Sequence, residues 1–225
     1  MAHKARWIAW LAWPLALVCV TPALAATVTV TDSATGRPLA DAVVEVYASG
    51  TMPVERDAPA YEMMQRQTTF IPYVLAVPVG AAVEFPNRDT TRHQAYSFSP
   101  AHPFNLDLFL RETPPPEYFD KPGVVVVGCN IHDSMQAFII VSEAPYFAKT
   151  GDDGTVSFDL PPGNHRLRIW HPKLEDTHYE WWEGELAGNT SRSVALTLNA
   201  SLPAVEKPSA LERRFQQALQ QRQSN

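Results

Sequence analysis

The chain has 225 residues, of which 45% are apolar and 19% are charged, a balance typical of one or two globular domains. The formal net charge of −6 disfavours wholesale binding to nucleic-acid phosphates. Beyond the N-terminal segment no apolar run approaches the about 20 residues that cross a bilayer. Twenty prolines, about twice the usual share, favour short strands and turns over long helices.

Residues 1–25 have the pattern of a cleaved export signal. Basic Lys4 and Arg6 precede an apolar stretch over residues 7–20, and a small-residue Ala-Leu-Ala site ends the segment. A retained membrane anchor is the alternative. We predict that the signal is removed and that the mature chain, with 16 basic and 24 acidic residues, is periplasmic and has no membrane span.

Removal of the signal also limits the cysteine chemistry. It takes away Cys19 and leaves Cys129 as the single thiol, so the mature chain can form no internal disulfide. A lone cysteine in an oxidising compartment is buried, paired with another chain, or bound to a group that protects it.

The first half of the mature chain predicts a β-sandwich. Two strands are predicted at residues 27–31 and 42–48, followed by a linker over residues 51–67 in which Met63 and Met64 are packing residues. Five short strand candidates come next, separated by Pro, Gly and Asn/Asp clusters; they are residues 73–78, 82–85, 94–99, 124–129 and 136–141. Four consecutive valines at 124–127 predict a strand that is buried on both faces.

The second half continues the β pattern. A Gly-Asp-Asp-Gly turn at residues 151–154, a strand at 155–160, a Pro-Pro-Gly breaker and alternating apolar residues from Leu167 predict a hairpin. A last strand is predicted at residues 193–198. Residues 204–225 predict one short helix, because a capping-box spacing precedes apolar residues on one helical face. The predicted fold class is therefore all-β with a C-terminal helical tail.

The segment that follows the valine strand carries the chemistry. Cys129, His132 and Met135 recur at three-residue intervals, so one loop can wrap a thiol, an imidazole and a thioether around one ion. A second imidazole, His93, lies 36 residues before the cysteine, near the start of another predicted strand. Two histidines, one thiolate and a weak axial thioether form the ligand set of a type 1 copper site. Zinc is the less favoured alternative, because its structural sites usually contain more thiolates or histidines and no methionine.

These residues resemble the cupredoxin family, the blue copper proteins of the plastocyanin, azurin and amicyanin type. The Cys-x2-His-x2-Met loop is similar to that of the amicyanins, and Asn87-x-Asp89-x3-His93 is similar to the upstream histidine segment of the family. The resemblance implies a cupredoxin domain over residues 67–142 that binds one type 1 copper ion through four ligands: His93, Cys129, His132 and Met135. It also implies that His132 is the ligand on the solvent side, and we expect Ile131 and Pro103 in an apolar surface around it.

One position departs from that pattern. Plastocyanins and amicyanins commonly have an asparagine after the first histidine, where it helps to tie the two ligand loops together. Here that position is Gln94. The departure bears on the support of the ligands and on the reduction potential.

The flanks carry a second resemblance. The patterns at residues 28–44 and 150–163 are similar to the two halves of a carboxypeptidase-regulatory, transthyretin-like β-sandwich. The resemblance implies a split sandwich made of residues 26–66 and 143–203, with the copper domain inserted in it. The whole pattern resembles bacterial exported proteins named as methylamine-utilisation or plastocyanin-like proteins.

Each candidate ligand has an alternative role. Cys129 could be an apolar core thiol, His93 could cap a turn beside Asp89, and Met135 could fill the core. The other histidines, His102, His165, His171 and His178, are predicted to be surface or structural residues, with a second metal site at His171 and His178 as the alternative. Tryptophans 170, 181 and 182 are predicted to pack between sheets, or else to form a docking patch.

The predicted function is one-electron transfer through copper in the periplasm, with a redox protein as partner: a cytochrome, a dehydrogenase or an oxidase. A copper delivery or buffering protein without redox cycling is one alternative, and an extracellular binding sandwich with a vestigial metal site is another. An enzyme is not expected, because the sequence has no nucleophile elbow, phosphate loop or additional three-histidine cluster.

Overall fold

The computed structural model describes residues 25–49, 59–132, 134–174 and 178–199, and within them every regular element is a β-strand. The predicted all-β class is confirmed. Within these described ranges no helix is long and apolar enough to cross a membrane. The predicted export signal, apart from Ala25, and the predicted C-terminal helix lie outside the described residues.

The strands are numbered in chain order. They are β1 (Ala26–Asp32), β2 (Val43–Tyr47), β3 (Tyr61–Glu62), β4 (Met64–Arg66), β5 (Thr69–Ile71), β6 (Val74–Pro78), β7 (Ala81–Glu84), β8 (His93–Ser97), β9 (Phe104–Phe109), β10 (Glu117–Phe119), β11 (Gly123–Gly128), β12 (Gln136–Ser142), β13 (Tyr146–Lys149), β14 (Thr155–Phe158), β15 (Asn164–Trp170), β16 (Trp182–Ala187) and β17 (Ser191–Leu196).

Strands β3 to β12 build what we call the inner sandwich. Its five-stranded sheet has the order β6-β12-β11-β8-β9, and a three-stranded sheet β10-β7-β3 and the β4–β5 hairpin complete it. These sheets share one core, because their alternate apolar residues are buried together; they include Met63, Phe70, Phe85, Phe109, Phe119, Val127, Cys129, Met135 and Ile139. The predicted metal-binding loop therefore starts from a packed core rather than from a free surface.

The remaining strands build the outer sandwich from two distant stretches of chain. One sheet has the order β14-β1-β17 and the other β13-β2-β15-β16. In the first sheet β1 pairs with β14 antiparallel and with β17 parallel. The core between the sheets is mainly aliphatic, and its members include Val28, Val30, Val44, Val46, Leu167, Ile169, Leu186 and Leu196.

A third apolar cluster joins the two sandwiches. It contains Val43 and Trp170 from the outer sandwich and Val74, Val124, Phe138 and Ile140 from the inner one. The ring of Phe138 lies 5.2 Å from that of Trp170, and the indole N–H of Trp170 donates to the carbonyl of His178 at 2.7 Å. Because Phe138 and Ile140 point to this cluster while Ala137 and Ile139 point to the inner core, β12 is covered on both faces. The valine strand β11 is likewise buried on both faces, and of its four valines only Val126 is partly exposed.

Two predictions of strand arrangement are wrong. The predicted linker 51–67 contains β3 and β4, which form because Tyr61 pairs with Val83 and Gln65 pairs with Phe70. The predicted hairpin near residues 151–171 does not form: β13 pairs with β2, β14 with β1, and β15 with β2 and β16. The turn and the Pro-Pro-Gly segment instead carry the chain from one outer sheet to the other and back.

Candidate metal centre

Strand register brings the two distant parts of the predicted site together. His93 is the first residue of β8 and Cys129 directly follows β11, and these strands are antiparallel with Gly128 opposite Tyr96. A Cβ atom at Gly128 would lie 3.1 Å from the Tyr96 ring, so the close approach of the two strands favours glycine there.

The cluster itself contains two imidazoles and one thiol. The potential ligand atoms of His93, Cys129 and His132 all lie within 4.8 Å of one another. The Cys129 sulfur is 3.9 Å from Nδ1 of His132, and the two imidazole centroids are 4.9 Å apart. The structure thus brings together three of the four residues predicted as ligands.

Met135 closes the loop that carries two of these residues. Its carbonyl accepts a hydrogen bond from the N–H of Cys129 at 3.2 Å, and its own N–H donates to the carbonyl of His132 at 2.9 Å. Its side chain is buried in the same core as Cys129. The loop is therefore a closed turn with the methionine on its inner side.

The thiol lies where a thiolate is stabilised. The N–H of Gln94 donates to the Cys129 sulfur at 3.5 Å. Burial raises the pKa of the Cys129 thiol, but the interactions with His93 and with the N–H groups of Gln94 and Ile131 outweigh it and hold the pKa below its ordinary value. A lowered thiol pKa favours the thiolate, which is the form that binds metals.

His93 is oriented by a carboxylate. Its Nε2 lies 2.7 Å from Oδ2 of Asp89, whereas its Nδ1 is buried and without a hydrogen-bond partner. Burial lowers the pKa of His93, yet the Asp89 carboxylate and the Cys129 sulfur outweigh it and raise the pKa to about 9. A carboxylate on the outer nitrogen is the usual way to orient a metal-binding histidine. His93 therefore fulfils both predicted roles: it contacts Asp89, and it belongs to the cluster with Cys129 and His132.

The same carboxylate anchors a hairpin. Asp89 accepts hydrogen bonds from the N–H groups of Gln67 and Thr68, at 2.7 and 3.0 Å, at the turn between β4 and β5. Asn87 braces the segment from the other side, because its side-chain amide donates to the carbonyls of Thr91 and Phe109 and accepts from the N–H of Asp89. In the sequence, the Asn87-x-Asp89 spacing is the feature that corresponds to these contacts around His93.

Gln94 does not replace the asparagine found in the resembled proteins. Its side chain donates to Oδ1 of Asn105 on β9 at 2.6 Å, so it braces a neighbouring strand rather than the metal-binding loop. Only its backbone N–H reaches across to the sulfur. The two ligand-bearing segments are therefore tied by a backbone contact.

His132 lies at the outer side of the cluster. It is half-buried, and burial followed by the charge of His93 lowers its pKa. Ile131 beside it is 46% exposed, as expected for an apolar surface. The expectation for Pro103 is wrong: the register places Phe109 opposite His93 but Phe104 opposite Ser97, so Pro103 lies at the far end of the β8–β9 hairpin.

The remaining histidines of the described residues have structural contacts. His102 lies 3.3 Å from a carboxylate oxygen of Glu117, and its ring packs on Phe119. His165 lies 2.8 Å from the carbonyl of Pro161, His171 accepts from the N–H of Lys173, and the ring of His178 packs on Phe138. In the part of the chain that the structure describes, His93, Cys129 and His132 are the one group of His, Cys, Asp and Glu side chains close enough to share an ion.

The tryptophans differ in burial. Trp170 is fully buried between the sandwiches, whereas Trp181 and Trp182 are half-buried and lie under the guanidinium groups of Arg168 and Arg192.

The donor set fits copper. One thiolate sulfur and two imidazoles, of which one presents a buried nitrogen without a partner, match the soft and borderline donors that copper prefers in trigonal sites.

Comparisons with known proteins give the following similarities. No protein-family model matches the chain, and no curated protein matches it. Among solved structures it is similar to a copper-containing nitrite reductase from Thermus scotoductus SA-01, with 30% identity and a TM-score of 0.37, over 39% of this chain and 23% of that chain. It is also similar to a reduced Cu(I) form of an amicyanin mutant, with 16% identity and a TM-score of 0.35, over 44% of this chain and 98% of that chain.

An oxidised amicyanin mutant is similar at 17% identity and a TM-score of 0.35, over 45% of this chain and 99% of that chain. The aligned part thus spans under a quarter of the nitrite reductase but nearly all of the amicyanins. The inner sandwich itself combines the sheet order β6-β12-β11-β8-β9 with a His-Cys-His cluster.

Proposed function

We propose that this protein is an exported type 1 copper protein that carries single electrons. The observation that supports the proposal is the cluster of His93, Cys129 and His132 at the edge of a packed core, with ligand atoms within 4.8 Å of one another. Met135 is the proposed fourth ligand. When bound, copper supplies a centre that alternates between Cu(II) and Cu(I).

The protein contributes rigidity. The hydrogen bond from Asp89 orients His93, the backbone bonds of Met135 close the loop, and the N–H of Gln94 holds the sulfur. Because these hydrogen bonds hold the ligand side chains in place, the ligands need little rearrangement when the charge of the centre changes. Small rearrangement favours rapid electron transfer.

Electrons would leave through His132. It is the outermost imidazole of the cluster, and exposed Ile131 beside it offers an apolar contact surface. The acidic mature chain suits a redox partner with a basic or mixed surface, whether a cytochrome, a dehydrogenase or an oxidase. Their association would weaken as salt rises.

The remaining parts of the proposal concern organisation. We place the protein in the periplasm after removal of residues 1–25, as a carrier and not as an enzyme; a role in methylamine utilisation rests on sequence resemblance alone. The cupredoxin domain would be an insertion in a transthyretin-like sandwich. Because Met63 packs in the inner core and β3 pairs with β7, we propose that the inserted domain includes β3 and β4 and so begins before residue 61 rather than at residue 67.

The test is the optical and paramagnetic-resonance spectrum of the purified, copper-loaded, oxidised protein, with copper quantified. We expect one copper per chain, an intense blue colour and a reversible reduction potential. His102→Gln is a matched control, because His102 lies in the same sandwich outside the cluster. A colourless protein loaded with Cu(II) would contradict the proposal. Copper that passes to an apo-acceptor without a reversible potential would favour the delivery alternative.

A further inference from the structure

A cavity of about 460 Å³ lies beside the candidate metal centre. This volume is within the range of about 300–1,000 Å³ that is usual for small-molecule sites. Cys129 and Met135 of the metal-binding loop line the cavity, together with residues of β8, β11 and β12 and with Tyr179 from the β15–β16 connection of the outer sandwich. The proposed copper function makes no use of this cavity.

The cavity exists because the outer sandwich covers only part of the five-stranded sheet. Phe138 and Ile140 on β12 point into the cluster between the sandwiches. Gln136, two residues before Phe138, belongs to the same face by strand alternation, but it lines the cavity instead. Its strand partner Gly128 has no side chain, which lets the ring of Tyr96 lie against β11 as one wall. A recess at the junction of two packed units is a usual place for a ligand.

Aromatic rings form part of the wall. The ring centroids of Tyr96 and Phe98 lie 5.2 Å apart, at an interplanar angle of 52°. Phe98 is 86% exposed, the largest value among the exposed large apolar side chains of the described residues, and Tyr179 is 50% exposed. Ring faces that remain uncovered in this way can stack on a planar aromatic molecule.

The polar groups of the cavity carry no charge. Ser99 is 2% exposed; its Oγ accepts from the N–H of Val126 at 2.8 Å and lies 3.3 Å from the hydroxyl of Tyr179. Asn130 and Gln136 add side-chain amides, which donate and accept hydrogen bonds. No described residue that lines the cavity is an Asp, Glu, Lys, Arg or His. An ion that entered this cavity would lose hydration without gaining a partner of opposite charge, so the lining favours a neutral molecule.

From these observations we propose that the cavity binds a neutral aromatic molecule that carries a hydroxyl group, of the phenol class. Its ring stacks against Phe98, and its hydroxyl bonds to the amide of Asn130 or Gln136. The protein alone forms this site, so the inference goes beyond the proposed copper function and does not depend on it. Because Cys129 also lines the cavity, a bound molecule shields that part of the metal-binding loop from water.

2-Naphthol is the probe for this site, since it is neutral, aromatic and hydroxylated. It is titrated into the purified protein in the metal-free form and in the Cu(I) form, which the probe cannot reduce, and binding is followed by NMR of 15N-labelled side-chain amides. We expect saturable binding with a dissociation constant below about 1 mM, and shifts of the amide signals of Asn130 and Gln136. Absence of saturable binding to both forms of the folded protein would overturn the proposal and show that water or the rest of the chain fills the cavity.

Two comparisons test the chemistry of recognition. 2-Naphthoate has the same rings and a negative charge, and we expect it to bind at least about tenfold more weakly. Phe98→Ala is expected to weaken 2-naphthol binding about threefold or more, because it removes the exposed ring. Tyr118→Ala is the matched control, because its ring is 58% exposed and does not line the cavity. Equal binding of the two probes, or equal binding by the two variants, would contradict the proposed recognition.

The proposed ligand site and the proposed copper function can fail separately. A protein that binds copper but not 2-naphthol would overturn the ligand site and leave the copper function intact. A protein that binds 2-naphthol but no copper would support the ligand site and overturn the copper function.

Discussion

The inner and outer sandwiches differ in the hydrogen bonding of their buried polar groups. In the outer sandwich, buried Thr150 donates to the carbonyl of Leu39 and accepts from the N–H of Ala42, and His165 and His171 have backbone partners. In the inner sandwich, His93 and Gln65 are buried with atoms that have no partner. A satisfied buried polar group stabilises a fold, whereas an unsatisfied one is unfavourable unless a water, an ion or another ligand compensates it.

The outer sandwich contains one apparent exception. Nε of Arg168 has no hydrogen bond, but it lies 3.5 Å from a carboxylate oxygen of Glu183, and the guanidinium also stacks on Trp181. Its charge is therefore compensated. Four predictions test whether metal binding is a property of the inner sandwich and whether the outer sandwich contributes to stability alone.

The largest expected effect is the loss of the metal site in Cys129→Ser. The hydroxyl of serine is a poor substitute for the thiolate, so we expect the blue colour to vanish and Cu(II) affinity to fall more than about a hundredfold. His165→Gln in the outer sandwich is the control and should leave the spectrum and affinity unchanged. Titration with Cu(II), followed optically, measures both. A blue serine variant would contradict the assignment.

The second prediction concerns the cluster between the sandwiches. Phe138→Ala removes a fully buried ring that contacts Trp170, and we expect the free energy of unfolding to fall by about 3–5 kcal/mol. Tyr118→Ala, at a side chain that is 58% exposed, is the control. Denaturant unfolding measures the difference. The folded fraction of Phe138→Ala should still bind copper with the wild-type spectrum. Loss of copper binding by the folded variant would show that the metal site depends on the contact between the two sandwiches.

The third prediction is a pH dependence that arises in the outer sandwich. Burial lowers the pKa of His171 to about 4, below the ordinary value of 6.5. Between these two values the unfolded chain binds more protons than the folded one, so stability falls as pH drops from about 6.5 to about 4. A shift of this size corresponds to about 3 kcal/mol. His171→Asn should flatten the profile across this window, and a variant with the wild-type slope would exclude His171 as its cause.

The smallest effects are expected when one carboxylate is removed, either Asp89 beside the cluster or Asp41 in the outer sandwich. Asp89→Asn weakens the support of His93, and we expect copper affinity to fall about 10–100-fold. Asp41→Asn is the comparison: its carboxylate accepts from Lys149 at 2.6 Å on a partly exposed face of the outer sandwich. That variant should cost about 1 kcal/mol or less and leave copper binding unchanged. Equal copper affinities in the two variants would contradict the role of Asp89.

The site shows how much of the chemistry is local in sequence. Cys129, His132 and Met135 follow a strand of consecutive valines. Because a short loop after a strand holds closely spaced residues near one another, their proximity does not depend on distant parts of the chain. Distance along the chain made His93 harder to predict, and resemblance rather than spacing pointed to it. The buried amide of Gln65, which has no hydrogen-bond partner, could not be predicted at all, because burial is a property of the folded core.

By itself the sequence determined the all-β class, the turns and the loop that carries Cys129 and His132, because strand alternation, proline and glycine act over a few residues. Only the tertiary structure decided which strands pair, and so overturned the predicted hairpin after residue 151 and the linker before residue 67. It also decided that β8 meets β11 with His93 beside Cys129. Such choices depend on the burial of both faces of β12 between two sandwiches, and no local pattern encodes a partner that lies so far along the chain.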